Sequence, residues 1–325
     1  MRTLSKRFRR MDMNTLSLFL IAVLIYVLMA FLKPKAFLTV RNLQGMLVQF
    51  PEFGILSLGM MLAMISGGID LSLVGISNLA GIVAAILMQQ LGGTPLSIAL
   101  AVLAALAVGA LCGAFNGLLI GSLRIPPMLV TLCGLQLYTG IGLIITKGPA
   151  VTGLPDAFSG FANGMVLGVP LPAIVFVAIA IIVAYVLNRT IYGQQLRLMG
   201  SNAAASRYSG IDNFRVLLKT YMFSGMLGAV SGLLVASHYN SAKSDYGTSY
   251  TLLTLLIVVL GGTNPDGGRG KVLGVTMAIL VLQLVSSAFN SLRVDSFIKT
   301  FVWGLILILV VAYIRITEQR KLGQK

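Results

Sequence analysis

Acidic side chains are almost missing from this chain: nine Asp and Glu stand against 24 Lys and Arg in 325 residues. Charged residues of both signs make up 10% of the sequence, against about 25% in an ordinary soluble domain. Apolar types make up 57%, and the mean hydropathy is +0.93. Such a composition cannot clothe a water-soluble fold. Histidine occurs once, as His238, which excludes a multi-histidine metal site and most triad chemistry. The two cysteines, Cys112 and Cys133, sit in apolar runs without C-x-x-C spacing, so they read as small core residues. Neither a nucleophile elbow nor a pair of catalytic carboxylates is present. The chain is therefore not expected to be an enzyme, and no cofactor is expected. The net charge of +15 comes from bases scattered among apolar segments. A nucleic-acid surface would instead stripe them with aromatics.

What the chain has is long hydrophobic runs, and about 20 apolar residues suffice to span a bilayer. Ten segments stand out, at 14–32, 45–66, 71–90, 95–121, 126–146, 171–187, 217–237, 250–265, 272–292 and 298–314. The expected fold is all-α and polytopic, one membrane domain over 1–325. The basic start, Arg2, Lys6, Arg7, Arg9 and Arg10, precedes the first run without an A-x-A-type cleavage site, which reads as an uncleaved first span. With the N-terminus inside, 17 Lys and Arg fall on the inner side and 7 on the outer. The positive-inside rule then predicts both termini in the cytoplasm. The loop after the first span, with Lys33, Lys35 and Arg41, runs against the trend.

Two glycine-rich breaks interrupt the apolar pattern: Ser66-Gly67-Gly68-Ile69-Asp70-Leu71-Ser72, and Gly261-Gly262-Thr263-Asn264-Pro265-Asp266-Gly267-Gly268-Arg269-Gly270-Lys271. Lipid cannot satisfy freed backbone groups, so such backbone is buried in protein, lines a cavity or sits at an interface. The second break ends in Gly-Lys, yet Pro265 and Val272 stand where a Walker A loop needs Gly and Ser or Thr, so no nucleotide site is read there.

Individual residues admit two readings. Asp70 either caps a helix starting at Leu71 or, as an ionisable group among spans, lies beside a solute pathway. Asn116 and Thr131 either line a pore for a hydroxylated solute or hydrogen-bond between close-packed helices, with Gly109, Gly113 and Gly117 spaced four apart. His238 to Tyr246 is a polar outer loop, read as solvated or as a surface for a sugar or a protein.

Two connections are long. The outer stretch of about 147–170 is expected to be an ordered cap with a short interfacial helix. The inner stretch of about 188–218 carries Gly200, Asn202, Ala203, Ala204, Ala205, Arg207 and Gly210. Asn202 suits an N-cap, Ala203 to Ser209 a short helix and Gly210 its stop. A two-turn helix bracketed by glycines is a rigid peg, with Arg197 and Arg207 placed to pair with acidic groups of a partner.

Four ordered blocks carry a family resemblance. They are Gly67-Gly68-Ile69-Asp70-Leu71-Ser72, Ile125 to Leu132, Gly200 to Ile211, and Val258 to Thr263 with Gly267-Gly268-Arg269-Gly270. Together they resemble the permease subunits of bacterial ribose-type ABC importers, over about residues 45–315. Residues 241–247 and 153–172 are more similar to the autoinducer-2 branch, in its second permease. One residue, Leu73 or Val74, is extra relative to the usual pattern before Gly75.

The resemblance implies a type II-like importer permease in a bacterial inner membrane. Its implied partners are a second permease subunit, two cytoplasmic ATPase subunits and an external solute-binding protein. It also implies that 200–211 is the segment seated in the ATPase. The rivals are an ion-gradient-driven secondary transporter, for which Glu52 and Asp70 would supply carboxylates, and a membrane-embedded enzyme, which lacks a constellation.

Overall fold

The computed structural model describes residues 13–295, 297–299, 301–309 and 312. The basic run Arg2–Arg10 and the basic residues from Arg315 onward lie outside the described residues.

Helices dominate. They are α1 (Met13–Leu32), α2 (Pro34–Phe37), α3 (Val40–Ile65), α4 (Leu73–Gln90), α5 (Pro95–Leu123), α6 (Pro127–Thr146), α7 (Asp156–Asn163), α8 (Leu171–Arg189), α9 (Ile191–Ser201), α10 (Ala203–Tyr208), α11 (Asn213–Tyr239), α12 (Tyr250–Leu260) and α13 (Val272–Ser291). Among the described residues, eight are long and apolar enough to cross a membrane: α1, α3, α4, α5, α6, α8, α11 and α13. The last predicted segment is helical and apolar over its described part, 297–299 and 301–309. The chain is thus a polytopic all-α membrane protein.

The predicted eighth segment, 250–265, is corrected to a half-span. As α12 it has 11 residues, a rise of about 16 Å against a hydrocarbon core of about 30 Å. Gly262, at φ +81°, ends it, a conformation glycine adopts without steric cost.

Burial sorts the spans. From Phe50 onward α3 is enclosed on all sides, and its Leu, Met and Ile side chains fill the main core with those of α8, α12 and α13. Exposed Leu24 and Phe31 on α1, Leu103 and Leu111 on α5 and Ile144 on α6 form the belt that lipid covers. Small residues let two helices touch backbone to backbone. A side chain at Gly113 of α5 would strike the Tyr221 carbonyl of α11, and one at Gly109 would strike Gly225. This is the close approach that small residues permit in membranes.

At the end of the bundle away from α10, β1 (Val151–Thr152) pairs antiparallel with β4 (Ser241–Ala242), and β2 (Met165–Val166) with β3 (Val169–Pro170). These ribbons hold α7 over the bundle, with Phe158 and Ala162 buried and Ser237 bonded to the Phe158 carbonyl. The 238–246 segment is ordered by the same pairing, and Asn78 donates to the carbonyls of Ser244 and Tyr246.

Candidate functional site

The first break folds around Asp70, which is fully buried. The helix begins two residues later than the sequence suggested: α4 starts at Leu73, and Ser72, not Asp70, precedes it. Asp70 instead opens a tight turn, its Oδ1 accepting from the Ser72 N–H at 3.2 Å and the Ser72 hydroxyl at 2.6 Å. Its Oδ2 accepts from Ser224 Oγ of α11 at 2.9 Å. Three donors on two oxygens is an arrangement that suits a carboxylate.

Asn116 joins the same network. Its Nδ2 donates to Ser72 Oγ at 2.8 Å, and Tyr138 OH of α6 donates to Asn116 Oδ1 at 2.8 Å. The donors therefore run in one direction, Tyr138 to Asn116 to Ser72 to Asp70. Thr131 is buried beside them, its Oγ1 lying 2.9 Å from the carbonyls of both Ile69 and Pro127. The structure brings Asp70, Asn116 and Thr131 to one place, and every polar group named is satisfied inside the protein. The neighbouring hydroxyl of Tyr221 is not: it is buried without a hydrogen-bond partner, against Gly68 of the break.

Below Asp70 the two breaks meet. Gly268 N–H donates to the Ile65 carbonyl at 2.9 Å. Gly200, near the end of α9, packs so tightly on that carbonyl that a side chain there has no room, and a Cβ on Gly267 would meet both Gly200 O and Gly67. Three glycine segments far apart in sequence thus share one joint.

From that joint the chain runs straight into the peg. Asn202 Oδ1 accepts from the N–H groups of Ala204 and Ala205 at 3.0 and 2.9 Å, starting α10. Gly210, at φ +79°, ends it, and Ile211 N–H returns to the Ser206 carbonyl. Asn213 Nδ2 clasps the Ala203 carbonyl, so α10 is fixed to the start of α11. Ala203, Ala204, Ala205 and Arg207 are exposed. Tyr208 at the tip is 96% exposed, beside a cleft of about 1040 Å³ that reaches Arg124. Arg197 does not face this cleft; its guanidinium turns back to Asn188 Oδ1 of α8 at 2.9 Å.

Glu52, the other carboxylate that the sequence offers to a gradient-driven transporter, is also buried. Glu52 of α3 bonds His238 Nδ1 of α11 and accepts from Tyr250 OH of α12 at 3.0 Å. His238 also lines a pocket of about 470 Å³ whose walls carry Arg41, Asn42, Gln49, Gln283 and Ser287. These partners stand 186 and 198 residues from Glu52, so no local spacing announces them. Ser224 and Ser231, seven residues apart on α11, bond the Asp70 carboxylate and the Glu52 carbonyl respectively, and serines at that spacing on a glycine-rich helix are a signal of such a seam.

Residues 42–311 match the family described as "Branched-chain amino acid transport system / permease component". The autoinducer 2 import system permease protein LsrD of Yersinia enterocolitica is 34% identical over 275 residues, covering 83% of this chain and 82% of the relative. The ribose import permease protein RbsC of Escherichia coli K12 is 32% identical over 296 residues, covering 90% and 91%. The LsrD protein of Yersinia pestis (strain Pestoides F) is 33% identical over 275 residues, covering 83% and 81%. No solved structure matches.

Proposed function

The chain belongs to the permease family described as "Branched-chain amino acid transport system / permease component", and from that premise we propose that it forms half of the membrane pathway of a binding-protein-dependent ABC importer. The solute proposed is a small sugar or sugar-like molecule, a pentose, a deoxyhexose or autoinducer 2, because the relatives quoted above are named for ribose and autoinducer 2. A second permease subunit completes the pathway, two ATPase subunits dock from the cytoplasm, and an external binding protein delivers the solute. The setting is a bacterial inner membrane with both termini and 188–218 in the cytoplasm.

One observation carries this reading: the exposed peg is joined through α9 to both helix breaks, at Ile65, Gly200 and Gly268. A push on α10 is transmitted by rigid helix to the end of α3 and to the loop after α12, not absorbed by a flexible linker. Gly200, Asn202, Ala203, Ala204, Ala205, Arg207 and Gly210 are the proposed coupling residues. Asp70, Asn116 and Thr131 are proposed to act on the pathway by holding the first break in shape. The unpartnered Tyr221 hydroxyl beside it is the group left free to meet a solute hydroxyl. ATP binding biases two packings of the permease pair, and solute crosses as they exchange.

The test is uptake of labelled ribose, a deoxyhexose and autoinducer 2 by cells carrying the complete operon, with and without the ATPase genes. Uptake of at least one solute that vanishes without the ATPase is expected. Uptake that survives ATPase deletion but collapses with a protonophore would establish the gradient-driven alternative instead.

A further inference from the structure

A groove of about 470 Å³ runs between α8 and the start of α13, on the outside of the bundle and away from the peg and the Asp70 network. Its floor is made by small or flat surfaces, Ala180 and Ala184 of α8, Phe176, and Thr276 of α13. Its rim opens onto the lipid belt, where Ile181 is 63% exposed and Leu273 is also exposed. One end is different in kind. There Asn188, Arg197 and Lys271 close the groove, on the side that carries the peg.

We infer that this groove is a binding site for an anionic phospholipid of the cytoplasmic leaflet, its phosphate held by Arg197 and Lys271 and one acyl chain lying along α8. Length supports the assignment. From Phe176 to Asn188 the helix rises about 18 Å, close to the ~15 Å depth of one hydrocarbon leaflet. Charge supports it independently: two basic side chains converge at the end where headgroups lie, a pattern that selects anionic lipids. Arg197 is also incompletely used by the protein. It forms no ion pair among the described residues, its Nη2 donates to Asn188 Oδ1 at 2.9 Å, and its Nε is buried without a hydrogen-bond partner. Only Nη2 of the guanidinium is hydrogen-bonded within the protein, to Asn188 Oδ1 and the Gly270 carbonyl, and a phosphate oxygen is an acceptor that matches the donors left over.

The placement has a functional corollary. Arg197 belongs to α9, and Lys271 closes the second break, one residue after the Gly270 carbonyl that Arg197 also approaches at 3.5 Å. A phosphate between them bridges two of the three segments that meet at Ile65, so the lipid would stiffen the path from peg to break. The side of the membrane rests on the orientation proposed above, whereas binding itself does not.

Native mass spectrometry of the assembled transporter, equilibrated with equal amounts of POPG and POPC, tests this. Wild type is expected to retain POPG preferentially. The R197A/K271A double variant should lose roughly thirtyfold in POPG affinity, about fivefold for each basic residue near the headgroup plane, while POPC retention stays the same. R124A/R215A removes the same charge elsewhere on the cytoplasmic side, outside both the groove and the coupling residues, and should leave POPG retention unchanged. Ala184→Leu fills the groove without touching charge and should also expel POPG. Equal POPG retention in wild type, R197A/K271A and Ala184→Leu would overturn the inference. So would displacement of POPG by millimolar inorganic phosphate with no dependence on position 184, which would mark a simple anion site. Failure of sugar uptake in the operon experiment would leave this result untouched, so the two readings fail separately.

Discussion

At Asp70 one carboxylate holds three donors from two separate elements, and a variant is judged by how many of them it strands. Asp70→Asn keeps an acceptor for Ser72 and an amide facing the Ser224 hydroxyl, which can itself accept. This variant is expected to express and to transport at a substantial fraction of wild type. Asp70→Leu leaves the Ser72 N–H and two hydroxyls buried and unpaired, at about 1–3 kcal/mol for each stranded group. Loss of folded protein in detergent, read by fluorescence size-exclusion chromatography, is the expected outcome. Equal and complete loss of uptake in well-expressed Asn and Leu variants would instead point to the charge itself. Tyr221 gives the opposite case, because its buried hydroxyl has no protein partner. Tyr221→Phe should leave thermal stability unchanged or slightly raised while lowering uptake, and unchanged uptake would remove this hydroxyl from the pathway.

Among the elements, α9 and α10 act as one lever, and its two ends invite different substitutions. Ala204→Trp at the exposed end should weaken ATPase co-purification or uncouple hydrolysis from uptake without unfolding the bundle. Arg207→Ala should do less, since exposed ion pairs contribute under about 1 kcal/mol. At the buried end, Gly200→Val forces a side chain into the Ile65 carbonyl. It should retain bound ATPase yet lose solute-stimulated hydrolysis, measured in nanodiscs. Normal stimulation in both the Trp and the Val variants would place the coupling path elsewhere. The peg was legible in the sequence because Asn202, three alanines and Gly210 lie in one local stretch that obeys helix-capping rules. The joint was not legible: it forms from Ile65, Gly200 and Gly268, and glycines at a close approach look the same in sequence as glycines in a loose turn. The short α12 reads as a longer run in the sequence for a related reason. Hydropathy ran on through Gly261 and Gly262, while the backbone turned there.

For the whole molecule, the hydrophobic runs mark the full crossings because each needs an apolar stretch of about 20 residues. The order in which they pack was hidden, since the seams rest on partners such as Asp70 with Ser224 and Glu52 with His238, far apart along the chain. The orientation proposed from the charge bias predicts that a cysteine introduced at position 203 resists a membrane-impermeant maleimide added outside intact spheroplasts. Efficient labelling there would invert the topology. The seam between α5 and α11 bears on which parts move. Where Gly109 and Gly113 bring one backbone against another, no side chain is available to swing and accommodate sliding. Those two helices are therefore expected to travel as one block through the transport cycle. A covalent tie between them should leave uptake intact, and loss of uptake on cross-linking would show that they slide past one another.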